Sequence, residues 1–232
     1  MSSPIDPRIL ILETSGRMGE VALACGPKIV RHRLLDETRL HARDLAPAVS
    51  AMMQEEDWKP ADIQALIVNR GPGSYTGLRV GLMSAKAFAY ATGCALLAVD
   101  GFQAIARQSS RDMIDVIADA QRDLVYHQRF TRSATGGEML PATALQIVNF
   151  STWIESLCVE RWVSGPGLWR FSERLPAHVK IPDESLWDPH PPSLLEIGLS
   201  RYRAGERDDP WKLEPLYLRP SSAEEKWAKK DQ

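Results

Sequence analysis

The sequence predicts a two-lobed α/β protein built on a duplicated mixed sheet with helices. Three observations predict it. Residues 8–35 hold three short apolar runs separated by turns, the pattern of an antiparallel meander. From residue 41 onward, helical and strand periodicities alternate. Beyond residue 108 a strand pair opens the same order again, more loosely. A length of 232 residues suits one two-lobed unit. The expected division is a first lobe over 1–107, a smaller second lobe over 108–210, and a tail over 211–232 whose lobe is left open.

The elements follow in order. Residues 8–13, 19–25 and 29–35 read as strands, with turns at Ser15-Gly16 and Gly26-Pro27. Leu40, Leu45, Val49, Met52 and Met53 recur at helical spacing, so 41–54 is an amphipathic helix. Residues 65–69 form a buried strand, a glycine-rich loop follows, and 76–92 is a helix ending at Thr92-Gly93. Residues 95–99 are the next strand. In the second half, 113–118 and 124–131 pair as strands, 151–157 is a short helix, 162–164 a strand and 193–204 a final helix. Proline-rich stretches over 182–192 and 210–220 are connectors.

Hydrophobic residues make up 44% and charged residues 25%, which excludes a disordered or fibrous chain. Twenty-eight Lys and Arg against 30 Asp and Glu leave a net charge of -2, so bulk charge does not hold this protein to nucleic acid. The three cysteines, Cys25, Cys94 and Cys158, form no CxxC pair and read as reduced, buried thiols of a cytoplasmic protein. The first ten residues lack the apolar run of a signal peptide. The apolar stretch 80–99 carries Lys86 near its centre and breaks at Thr92-Gly93, which suits a buried helix and strand better than a membrane span.

The strongest local signal is the loop Asn69-Arg70-Gly71-Pro72-Gly73-Ser74-Tyr75-Thr76-Gly77-Leu78-Arg79. Gly71 and Gly73 permit tight turns, and Ser74 or Thr76 can cap the helix that follows. Glycine spacing leaves two readings open: a capped turn without a ligand, or a cradle whose helix-start amides hold a phosphate. It is not a Walker A loop, because no Gly-Lys-Ser/Thr follows. Arg79 suits a phosphate or a surface ion pair. Along the same helix Gly77, Gly81, Ala85 and Ala89 recur every four residues. Such a ridge lets another helix approach closely, from this chain or from another subunit.

Four segments together resemble one family: Leu12-Glu13-Thr14-Ser15, the Gly71–Arg79 loop, Asp119-Ala120-Gln121-Arg122 before Val125-Tyr126, and Pro215-Leu216-Tyr217-Leu218-Arg219 with Lys226-Trp227 downstream. The chain resembles the TsaB (YeaZ) family of the tRNA threonylcarbamoyladenosine (t6A) machinery. The resemblance implies an actin-like (ASKHA) two-lobed fold and descent as a degenerate paralogue of TsaD, the catalytic transferase. It implies a non-catalytic subunit that pairs with TsaD, is joined by the ATPase TsaE, and meets tRNA through the complex. A homodimer of the chain alone and weak ADP or ATP binding at a subunit boundary stay open.

The resemblance places Gly101 and Ile105 where the paralogue has two metal-holding histidines, so no metal is expected. Glu13, Thr14 and Ser15 stand at the turn that serves metal and phosphate in active members. With Gly71, Gly73, Ser74, Thr76 and Arg79 they are the candidate nucleotide or anion residues. Ser164-Gly165-Pro166-Gly167 is the second lobe's candidate nucleotide loop. The expected partner interface is His41, Leu45 and Val49 with Gly77, Gly81, Ala85 and Ala89. The five histidines show no HxxH or HxxxH spacing and read as surface or capping residues. Two rival classes have requirements of their own. An actin-like kinase or ATPase needs an Asp-Gly-Thr turn, and a metallopeptidase-like hydrolase needs a metal and a base; neither set is present.

Overall fold

The structure, a computed structural model, describes residues 6–35, 41–135, 137–157 and 160–216, with the backbone alone of residues 41 and 42. Strands β1 (Arg8–Glu13), β2 (Glu20–Cys25) and β3 (Lys28–Leu34) form the expected meander. Helix α1 (His41–Glu55) leads to β4 (Ala65–Gly71), and α2 (Tyr75–Thr92) to β5 (Ala95–Asp100). β1, β4 and β5 pair in parallel, giving the order β3-β2-β1-β4-β5. β1 is apolar without alternation because both its faces are covered. Leu10 and Leu12 face Leu45, Met52 and Met53 of α1 and Leu82 of α2. Ile9 and Ile11 face the opposite side.

Helix α2 starts on Ser74, whose Oγ accepts the Gly77 N–H at 3.3 Å. It stops at Gly93, which takes the left-handed conformation at φ 74°. Lys86, the lone charge of the apolar stretch, donates to the Leu213 carbonyl at 2.8 Å. Among the described residues no helix is long and apolar enough to cross a membrane.

Helix α3 (Gly101–Gln108), which periodicity did not reveal, carries the chain into the second lobe. There β6 (Met113–Asp119), β7 (Leu124–Arg132), β8 (Met139–Pro141), β9 (Gln146–Asn149), β10 (Arg161–Ser164) and β11 (Val179–Lys180) form a sheet of order β11-β10-β6-β7-β8, with β9 also on β7. Helices α4 (Phe150–Glu155) and α5 (Leu168–Phe171) cover one face through Phe150, Trp153, Leu168 and Phe171. α3 covers the other through Phe102, Ile105 and Ala106.

The expected lobe boundary needs correction at its end. Helix α6 (Pro191–Arg203) packs Leu194, Leu195 and Leu199 on Ile9, Ile11, Ile67 and Leu97 of the first sheet. Burying each such side chain contributes about 1.5–3 kcal/mol. Residues beyond α6 stay on that lobe: Asp208 Oδ2 accepts the Ala98 N–H, Leu213 is buried, and the Leu216 N–H reaches the Arg70 carbonyl. The chain therefore returns to the first lobe at residue 191 rather than remaining in the second to 210. The cysteines also differ from expectation. Cys25 and Cys94 are free but only partly buried, and Cys158 lies outside the described residues.

Candidate functional site between the lobes

The candidate residues gather where β1, β4 and β5 end. Glu13 is fully buried, and its Oε1 accepts the Ser15 N–H at 2.6 Å, the Ser15 hydroxyl at 2.8 Å and the Gly16 N–H at 3.0 Å. Its Oε2 has no partner. Burial raises the Glu13 pKa to about 7, outweighing those bonds. Asn69 stands beside it, donating to Ser15 Oγ at 2.8 Å and accepting the Gly71 N–H at 2.8 Å. Arg70 and Asp100 form an ion pair at 2.5 Å on the rim.

The glycine-rich loop is tied to this turn rather than held open. The Ser74 N–H donates to the Ser15 carbonyl at 3.0 Å, and a Cβ on Gly73 would lie 2.7 Å from Ser15. The Gly71, Ser74 and Gly77 amides are thus engaged inside the chain, which favours the capped-turn reading of this loop over the phosphate cradle. Thr14 is equally committed, its hydroxyl donating to the Gly77 carbonyl at 2.7 Å. Thr76 is exposed, and the Arg79 guanidinium lies over the Tyr75 ring at 4.2 Å.

The small-residue ridge faces inward, which corrects its placement at a partner interface. Gly77, Gly81, Ala85 and Ala89 are buried against this chain's own sheet. A Cβ on Gly77 would fall 1.9 Å from the Thr14 carbonyl oxygen, and one on Gly81 2.3 Å from Thr14 Oγ1. Leu45 is also core, and Val49 packs against it. The His41 side chain lies outside what is described. The outward residues of α2 are Arg79, Met83, Ala87 and Tyr90, with Met83 63% exposed and Tyr90 74%. Tyr90 makes an edge contact with Trp211 at 5.7 Å.

Where the resemblance put metal ligands, Gly101 abuts the Asn69 amide, with a Cβ position 2.7 Å from Nδ2, and Ile105 lies in the core. Among the described residues no cluster of His, Cys, Asp and Glu is arranged to hold a metal. The second lobe's glycine loop packs on its own sheet: a Cβ on Gly165 would sit 2.2 Å from the Ile117 carbonyl oxygen, to which the Gly167 N–H donates. The turn after β6 is closed too. Asp119 pairs with Arg170 at 2.9 Å and Asp123 with Arg174 at 2.5 Å. Gln121, Arg122 and Asp123 there run in the left-handed region.

Two buried polar groups carried no signal in the sequence. Glu20 bridges His32 at 2.6 Å and His190 at 2.5 Å. His190 Nδ1 faces Glu20 and Nε2 faces the Ser185 carbonyl, so both nitrogens carry protons, and the Glu20 hydrogen bond leads in raising its pKa to about 9. His127 is buried on Asp115 at 2.6 Å, with Arg129 on the same carboxylate at 3.0 Å. The surface-or-capping reading is corrected for His127, which is buried on Asp115 of the neighbouring strand, whereas His190 stands at the start of α6, where a capping residue would, and adds an ion pair to the buried Glu20 of β2.

Comparison with known proteins decides the relationship. A crystal structure from Pseudomonas aeruginosa, of an uncharacterised protein with similarity to the peptidase YeaZ, superposes with a TM-score of 0.77 at 26% identity, covering 92% of this chain and all of that one. The TsaB protein of Bacillus subtilis, described by its role in tRNA threonylcarbamoyladenosine biosynthesis, is 26% identical over 94% of this chain and 97% of its own length. The family model for TsaD, tRNA N6-adenosine threonylcarbamoyltransferase, matches residues 28–164. The chain belongs to the TsaB (YeaZ) family. An uncharacterised protein of Mycobacterium tuberculosis is 36% identical over 102 residues, so the match spans 44% of this chain and about half, 48%, of that relative. The fold of this TsaB-family chain is the actin-like one, a pair of mixed sheets with the candidate turn between them.

Proposed function

We propose that this chain is a non-catalytic subunit in formation of threonylcarbamoyladenosine next to the tRNA anticodon, acting with a TsaD-type transferase and a TsaE-type ATPase. The name of the Bacillus subtilis relative supports the pathway. The observation that carries the non-catalytic role is the inter-lobe turn whose amides bond within the chain. The Ser15 and Gly16 amides are engaged by Glu13, and Asn69 fills the space beside Gly101. Phosphoryl or metal chemistry needs donors and ligands aimed at a substrate; here they are aimed at the chain itself. Any nucleotide of the complex then belongs at a subunit boundary.

The partner surface fits the outward face of α2, with Met83 and Tyr90 at its centre beside Trp211, rather than the buried ridge. The test is reconstitution with tRNA, threonine, bicarbonate, ATP and the adenylate synthase. Modified tRNA is expected only when TsaD is added. Product from this chain without TsaD overturns the reading. For the surface, Met83→Asp is expected to leave the melting temperature unchanged and to weaken co-elution with TsaD roughly tenfold or more, the scale of an interface hot spot. Unchanged co-elution would move the interface elsewhere.

A further inference from the structure

The outer margin of the first sheet is open on the face that α6 covers. β3 ends the strand order: one of its edges pairs with β2, and the other pairs with no strand among the described residues. The Leu35 N–H turns inward to the Gly19 carbonyl at 2.7 Å. Backbone groups alternate in direction along an antiparallel ladder, so those of Leu34 and His32 turn outward. Ile29, His32 and Leu34 stand opposite Ala24, Ala22 and Glu20, on the α6 side, and Leu34 is 53% exposed. Beside this edge a groove of about 800 Å³ runs between the start of β3 and the flank of α6. Ile29, Leu195 and Leu199 give it an apolar lining, and Lys28 and Arg203 are its exposed cations. Lys28 is in no ion pair among the described residues, and Arg203 comes no closer than 4.0 Å to Asp6. Glu196, the carboxylate of the lining, is held by Arg107 at 2.9 Å.

We propose that this edge and groove bind an extended acidic segment of a partner protein, which adds to β3 as a sixth strand and lays its apolar side chains along α6. An open edge strand beside a helix receives a strand in this way: backbone hydrogen bonds hold the segment, and alternate side chains enter the groove. A helix in the same place would leave the outward groups of His32 and Leu34 to water. A second copy of this chain is disfavoured by charge. Two antiparallel β3 strands would set Arg31 and Arg33 of one copy against those of the other, and like charges placed opposite each other weaken a pair. Basic side chains thus keep the edge from pairing with itself, while Lys28 and Arg203 complement an acidic strand. The 13 residues of α6 span about 20 Å, which a strand of about six residues matches. Helices α1 and α2 lie on the opposite face of the sheet, so this surface is separate from the one assigned to the transferase.

The test selects peptides on the full chain from a phage-displayed library of random short sequences. Selected peptides are expected to carry Asp or Glu beside alternating apolar residues. They are expected to bind Lys28→Glu and Ser200→Trp at least roughly tenfold more weakly than wild type. The first variant reverses a rim charge and the second fills the groove; both positions are exposed, so both variants should melt like wild type. A second measurement needs no variant. When a selected peptide is added, the His32 and Leu34 amides are expected to exchange more slowly with solvent, and N-methylating alternate amides of the peptide should abolish binding in one register and spare it in the other. The proposal is overturned by selection without acidic residues, by peptides that bind both variants as tightly as wild type, or by unchanged exchange at His32 and Leu34. Self-association that Lys28→Glu abolishes would assign the edge to a second copy. Peptide binding that requires removal of residues 1–5 would assign the groove to this chain's own start. Either result also overturns the proposal. Failure here leaves the scaffold reading intact, because reconstitution with TsaD does not use this edge.

Discussion

Gly77→Ala is expected to destabilise this chain by about 3 kcal/mol or more, although it adds a single methyl group. That methyl would stand 1.9 Å from the Thr14 carbonyl oxygen, a backbone atom that cannot swing aside. Relief requires α2 to lift from β1. That strains the Thr14 hydroxyl bond to the Gly77 carbonyl and loosens Ala85 and Ala89 from the core. Overpacking typically costs about 1–3 kcal/mol, and backbone contact puts this case at the upper end or beyond. For a chain of this size each kcal/mol moves the melting temperature by about 2–4 °C, so a fall of roughly 6–12 °C is expected. Gly81→Leu should fall as well, since its side chain meets Thr14 Oγ1. Met83→Ala, on the exposed face, is the control and should melt like wild type. Gly77→Ala melting like wild type would contradict the inward placement of the ridge.

Stability is expected to fall as pH rises from about 4.5 to about 9, through two groups acting in the same direction. Glu13 has its pKa raised from 4.5 to about 7 by burial. The folded chain therefore holds a proton that the unfolded chain releases, and stability declines across that window before levelling above it. The full effect is about 3 kcal/mol, the free energy of that shift. His190 has its pKa raised from 6.5 to about 9, chiefly by Glu20. Its contribution is complete below pH 6.5 and is lost as pH rises through 9. Glu13→Gln keeps an acceptor for the Ser15 and Gly16 amides and carries no charge, so it should flatten the curve between pH 4.5 and 7. His190→Ala should flatten it between 6.5 and 9 at lower overall stability. Denaturant unfolding across that range measures both. A wild-type curve flat from pH 5 to 8 would show that neither Glu13 nor His190 holds its proton more tightly in the folded chain than in the unfolded one.

The sequence by itself determined the first lobe almost to its ends. β1 falls on residues 8–13 as expected, and α1 and α2 each differ from expectation by one residue at one end. These segments carry strong periodicity and clear stops, with Ser74 opening α2 and Gly93 closing it, and such signals are local. The four motifs were equally local, and they were enough to reach the family. Sequence also brought Glu13, Ser15 and the Gly71–Thr76 loop together as candidates. The short elements α3, α5, β8, β9 and β11 stayed hidden, because few residues give no period to read.

What those candidates face was decided by tertiary structure alone. A stripe of small residues states that something approaches closely, not whether it is a neighbouring helix, another subunit or, as here, the end of β1 and Thr14. The charged partners were hidden for a related reason. Glu20 and His190 are 170 positions apart, and His190 lies in a connector that reads as a proline-rich link. Only folding brings β2 and the start of α6 into one place. Local pattern sets which element a residue joins. The direction in which a carboxylate meets its donor depends on chain segments that no local window contains.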